Sequence, residues 1–185
     1  MMKHENKNRN SNGILRRIII AVLLVIIIAS AISLVKEWMD AAAQRRLEES
    51  LAEAAKQTET EPPETEKETE AETEAPYVSP IDFTPLLETN PDTIGWIRVP
   101  DTKIDYPIVQ SPDNQYYLHK DFEGNDSVYG TIYLDADSKS DFSGWNNPIY
   151  GHHMKDGSMF KDVVKFKDQE FFENHRYFEI YTPER

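Results

Sequence analysis

Asn147-Pro148-Ile149-Tyr150-Gly151-His152-His153-Met154, running on to Asp156-Gly157-Ser158-Met159-Phe160, is the stretch whose reading decides the fold. Ile149, Gly151 and His153 alternate with Tyr150, His152 and Met154, the period of a strand. Neighbouring strand residues point to opposite faces, so at most one of the two histidines faces a given pocket. An imidazole titrates near neutral pH and suits proton transfer. The plainer reading is two half-exposed strand residues. Beyond the turn, Met159, Phe160, Val163 and Val164 recur at helical spacing over Ser158–Phe166, with Ser158 as the N-cap.

Working outward, the same alternation marks four more strands. Ile94–Pro100 and Lys103–Val109 flank a turn at Asp101-Thr102, and Ile104, Tyr106 and Ile108 share one face of the second. Pro107 cannot donate a ladder hydrogen bond and implies an edge or a bulge. Gly130–Asp135 is the third strand, Ser138–Asn147 a polar loop, and Tyr177–Tyr181 the last strand. Thr84-Pro85-Leu86-Leu87-Glu88 reads as an N-cap, a proline at the first helical position and a short helix ended by Asn90-Pro91-Asp92. Asn114–Leu118 reads as a helical turn. Many short strands with turn signals predict a mainly β domain, a barrel or sandwich with short helices, over residues 77–185.

The other end of the chain is different in kind. Residues 1–17 are polar and basic, and Ile18–Val35 carries no charge. That run is at the short end of the roughly 17–25 residues that cross a bilayer as a helix. A basic flank ahead of it keeps the N-terminus in the cytoplasm and exports the rest. Ala29-Ser30-Ala31 resembles a signal cleavage site, but the apolar run continues past it, which favours an uncleaved anchor. Residues 36–56 read as a helical stalk. Residues 57–76 are Thr-Glu low complexity without a large apolar side chain, and such a segment cannot offset its ordering entropy. It is expected to be a disordered spacer.

Composition narrows the function. The formal net charge is -13, which argues against nucleic acid as a partner. There is no cysteine, so disulfides, thiolate metal sites and a cysteine nucleophile within these residues are excluded. A metal site at His152 and His153 is not expected, since adjacent strand residues diverge and no third ligand stands at a recognisable spacing. No cofactor is expected.

Five pieces in order resemble the class B sortases, membrane-anchored transpeptidases of Gram-positive bacteria. They are Asn90–Pro100, Ile104–Gln110, Tyr116-Tyr-Leu118 with Asp121-Phe122, Gly130–Asp135, and Ile149–Met154 with Asp156–Phe160. The resemblance implies a closed eight-stranded β-barrel with N-terminal helices. It also implies cleavage of a sorting signal after its Thr and transfer of the new carboxyl group to an amine of a cell-wall precursor or a pilin. A cysteine thiolate, a histidine and an arginine carry that chemistry in the family. The family's histidine follows a Tyr-Gly pair, which puts it on His152. The family's cysteine and arginine lie on strands beyond the part of the pattern that ends here near Thr182-Pro183. Asn114, Leu118 and Tyr150 match positions that line the family's substrate groove; otherwise they read as a turn residue and two core residues. The expectation is the N-terminal part of a longer sortase, with an incomplete barrel. The alternative is a non-catalytic, membrane-tethered module that binds a peptide or a wall component. Either way, the expected place is the cell membrane, in a single pass through residues 18–35, with the C-terminal domain outside.

Overall fold

The computed structural model describes residues 6–56 and 79–183. The acidic spacer expected at residues 57–76 lies outside the described residues. Two compact units make up the chain, Met1–Ala43 and Gln44–Arg185. The described residues of the first belong to helix α1 (Asn6–Ala54). Among the described residues, one helix is long and apolar enough to cross a membrane, Ile14–Ala54. Its large aliphatic side chains from Ile18 to Val35 are exposed. That is compatible with a membrane anchor, since a helix apolar all round needs an apolar surrounding.

The second unit is built on a mixed five-stranded sheet in the order β4-β3-β2-β1-β5. The strands are β1 (Thr93–Arg98), β2 (Asp105–Val109), β3 (Tyr133–Leu134), β4 (Ile149–Tyr150) and β5 (Glu179–Tyr181). β2 and β3 are parallel, and every other pair is antiparallel. The sheet is not closed: β4 and β5 are its edges. All five strands expected from alternation are present, but each is shorter than its pattern.

β1 and β2 form the longest ladder. Trp96 lies opposite Pro107 and Ile97 opposite Tyr106, with a register shift between Thr93 and Gly95. β2 is an inner strand, yet it meets β3 only at Val109. Beside Pro107 there is no β3 partner, so a residue without an N–H fits, as on an edge. Both faces of the ladder are buried. Trp96 and Val109 join Leu86 of α2 (Thr84–Thr89) and Leu51 and Ala55 in one core cluster. Ile97, Tyr106 and Ile108 are buried on the other face. Ile104, Tyr106 and Ile108 are buried on the face that they share, and Pro107 and Val109 bury the opposite face as well. Burying each of Leu51 and Leu86 contributes roughly 1.5–3 kcal/mol.

The helix ends differ from expectation in detail. Phe83, not Thr84, is the N-cap residue of α2, and Asp82 Oδ1 accepts from the Thr84 N–H at 2.9 Å. Ser158 is not an N-cap: Met159 takes that position ahead of a 3₁₀ helix, Phe160–Lys167. The Ser158 hydroxyl and its N–H both donate to Asp156 Oδ1, at 2.7 and 3.1 Å, which closes a turn one residue ahead of the helix. Helix α3 (Gln169–Asn174) was not expected. Asp168 caps it by accepting from the Phe171 N–H at 2.9 Å. Tyr116-Tyr117-Leu118 forms the expected turn, closed by the His119 N–H donating to the Tyr116 carbonyl at 3.2 Å.

A buried polar knot pins that turn to the core. Asn90 Nδ2 donates to the Phe122 carbonyl at 2.8 Å and to the Tyr117 hydroxyl at 3.0 Å. The Tyr117 hydroxyl donates to Asp92 Oδ2 at 2.7 Å. Burial and the Asp92 carboxylate push the Tyr117 phenol well above its ordinary range, so it stays a donor.

Candidate functional site

The site grows from two glycines. Gly130 has φ +61°, and a Cβ there would meet the Tyr117 carbonyl oxygen at 2.6 Å and that of Leu118 at 2.8 Å. Only glycine lets the chain pass so close in that conformation. The Thr131 N–H then donates to the Tyr117 carbonyl at 2.9 Å. This fixes the Leu118 peptide beside the entry to β3. Gly151 does the same for the histidine: a Cβ there would meet Ile132 Cδ1 at 2.3 Å. The missing side chain lets the chain after β4 lie directly on the core.

His152 follows at once, half-buried, and His153 is exposed. The strand expected to reach Met154 ends at Tyr150, because β3 offers only two partners, Tyr133 and Leu134. Beyond it the backbone turns back on itself. The Phe160 N–H donates to the His152 carbonyl at 2.9 Å, and His153 bridges Met159. The buried Met159 backbone has φ 55° and donates its N–H to the Tyr106 hydroxyl at 3.0 Å. A non-glycine residue there is strained, and the surrounding bonds hold it.

Among the described residues the His152 ring makes one hydrogen bond, from Nε2 to the Leu118 carbonyl at 2.8 Å. A carbonyl only accepts, so Nε2 carries the proton. In the neutral ring Nδ1 is then the lone-pair nitrogen, able to take a proton and later give it back. Two of the four residues singled out in the sequence thus touch, but through the Leu118 backbone. The Leu118 side chain packs against the core cluster.

Asn114 and Tyr150 meet through a residue that sequence reasoning missed. Asp135 Oδ2 accepts from Asn114 Nδ2 at 2.9 Å and from the Tyr150 hydroxyl at 3.2 Å. Asn114 Oδ1 accepts from the Ala136 N–H at 2.8 Å. The Tyr150 ring is exposed and lies 5.3 Å from that of buried Tyr133. Its hydroxyl is held protonated above the ordinary tyrosine range by the bond to Asp135. Asp135 closes the Gly130–Asp135 motif, but nothing in its spacing shows a partner on two other segments. Among the described residues no group of three or more His, Asp or Glu is placed to hold a metal.

This arrangement offers a proton-transfer group set on a backbone carbonyl and, by Asp135, an exposed tyrosine and an asparagine with a second N–H to give. The fold has close parallels among solved structures. A Bacillus anthracis sortase B in complex with AAEK1 has a TM-score of 0.61 and 36% identity, covering 78% of this chain and 63% of that one. A Staphylococcus aureus sortase B–substrate complex has a TM-score of 0.52 and 33% identity over 54% of this chain and 46% of that one. The fold is that of a sortase with an open sheet.

In sequence, sortase B of Listeria monocytogenes is 47% identical over 78 residues, 42% of this chain and 32% of the relative. Sortase B of S. aureus is 36% identical over 78 residues, again 32% of the relative. The chain therefore spans about a third of the length of the curated relatives it matches. No family model matches it. Over the matched part of the chain, both sequence and fold are similar to class B sortases.

Proposed function

We propose that this chain supplies the peptide-binding rim and the proton-transfer histidine of a class B sortase. Its substrate is the sorting signal of a surface protein, cut after Thr and joined to a cell-wall or pilin amine. The observation that carries this reading is the bond from His152 Nε2 to the Leu118 carbonyl, which leaves Nδ1 for the reaction. His152 would give a proton to the leaving amine and take one from the incoming amine, the paired acid and base roles of such a transfer. Asn114 would offer its second amide N–H to the peptide, Tyr150 its ring, and Leu118 the backbone that aims the histidine. The sequence holds no cysteine, so the nucleophile of this chemistry is not assigned to any of these residues.

The basic tail at residues 1–17, the anchor at 18–35, the stalk at 36–56 and the spacer at 57–76 are proposed to hold the domain at residues 77–185 outside a Gram-positive cell membrane. The anchor passes once, with the N-terminus in the cytoplasm. A second reading is a non-catalytic tethered module that binds a peptide or a wall component.

The test has two parts. The full chain is screened against a synthetic library of Thr-containing peptides, and saturable binding is expected. The chain is then joined to the cysteine- and arginine-bearing strands of the Listeria relative. In that fusion His152→Ala abolishes transpeptidation while His153→Ala keeps much of it. Binding without any turnover by the fusion supports the second reading; absence of binding contradicts both.

A further inference from the structure

We propose that Asp135 is a positioning residue of the rim: its carboxylate holds Asn114 and Tyr150 in fixed register, so that a bound peptide meets both as one preorganised surface. The inference rests on the reading of this rim as a sorting-signal groove.

Asp135 bonds to several other residues. Its Oδ2 receives the Asn114 amide from the loop after β2 and the Tyr150 hydroxyl from β4. Its main chain donates to the Pro148 carbonyl at 2.9 Å and accepts from Gln110 Nε2 at 2.9 Å. Its Oδ1 accepts from the Asp137 N–H at 3.0 Å, which closes the turn after β3. Both carboxylate oxygens are thus engaged inside the protein, so Asp135 orients its neighbours rather than meeting the ligand. Bonds to an ionised acceptor are the stronger kind. A second tie acts in the same sense: the buried Tyr133 hydroxyl donates to the Asn114 carbonyl at 3.2 Å, and its ring lies beside that of Tyr150.

β3 and β4 share only two residue pairs, too few to hold the rim by backbone pairing. The carboxylate takes over that task, and a surface ordered before binding spares the ligand the cost of ordering it. The two donors share one oxygen, so a change at either is felt at the other.

The test uses the full chain with ring-labelled tyrosine and ¹⁵N-labelled asparagine, and as probe the tightest-binding Thr-containing peptide from the library. Asp135→Ala is expected to shift the Tyr150 ring signals and the Asn114 side-chain amide signals together, and to weaken the peptide by about tenfold, or roughly 1.4 kcal/mol. Asp135→Asn keeps an acceptor oxygen and is expected to restore both signals, with affinity back within about threefold of the parent. Unmoved signals in Asp135→Ala overturn the proposal. Equal weakening by Asp135→Ala and Asp135→Asn also overturns it, since that marks a direct charge contact with the peptide. If Asp135→Ala loses its dispersed amide spectrum, Tyr150→Phe decides: the Asn114 amide signals must shift, and if they stay the proposal falls. Weakening by Asn114→Ala and Tyr150→Phe but not by Asp135→Ala sinks this inference alone. No weakening by any of the three sinks the groove reading and this inference with it.

Discussion

The β1–β2 ladder and the β3–β4 rim lie in one sheet but are held by different forces. β1 and β2 share five residue pairs from Thr93↔Val109 to Arg98↔Asp105, with apolar side chains buried on both faces. β3 and β4 share two pairs, and their surroundings are held by single side chains: Asp135 on Asn114 and Tyr150, and His152 on Leu118. The ladder carries stability, and the rim carries geometry. A rim fixed by side chains can be retuned residue by residue without loss of the core, and that is where recognition is best placed.

The largest effect that would break this contrast lies in the ladder. Trp96 is 1% exposed, and Trp96→Ala is expected to cost about 3–5 kcal/mol in urea unfolding. A cost below about 1 kcal/mol would mean that the ladder is not the core. Next comes the polar knot. Asn90→Ala leaves the Phe122 carbonyl and the Tyr117 hydroxyl short of a partner in the interior, with an expected loss of about 1–3 kcal/mol by the same measurement.

Gly130→Ala sharpens the comparison, because it sits between the regions. Its Cβ meets the Leu118 carbonyl, so the His152 ring signals are expected to shift along with a destabilisation of about 1–3 kcal/mol. Loss of stability with unmoved His152 signals would separate Leu118 from the histidine.

The smallest effect is a pH dependence at the turn between β1 and β2, where Asp101 meets His175. His175 Nε2 meets Asp101 Oδ2 at 2.8 Å, and its Nδ1 donates to the Phe171 carbonyl at 2.8 Å. The bond to Asp101, and then the one to the Phe171 carbonyl, raise its pKa above the ordinary histidine value. A raised pKa in the folded state means that the stabilisation is full below the unfolded value, near 6.5, and is lost as pH rises through the folded one. Thermal melting followed between about pH 5 and 9 should fall slightly with pH through that window, and His175→Gln should flatten the trend. A stability that rises through that window because of His175 would reverse the assignment.

The ladder was largely legible in the sequence, and the rim was only half so. Alternation of apolar residues marks all five strands, because burial on a face is a local signal. It overruns their ends, because strand length is set by the partner: β4 stops at Tyr150 when β3 runs out, although the alternation continues to Met154. The Pro107 signal had its physical cause in the missing β3 neighbour. Ser158 misled as a cap because the turn closed by Asp156 occupies it and the helix begins one residue later, after Met159. Asp135 could not be found at all, since its bonds to Asn114 and Tyr150 join residues 21 and 15 positions away. Leu118 was read for its side chain, and the structure gives its carbonyl the contact with His152.

The most direct measurement is a long-range ¹⁵N–¹H correlation spectrum of the histidine rings in the full chain, recorded while the Thr-containing peptide is added. The account predicts that His152 is protonated at Nε2 and bare at Nδ1 in the neutral ring, and that peptide shifts His152 while His153 stays in place. A His152 ring protonated at Nδ1 alone, or a peptide that moves His153 and not His152, would contradict it.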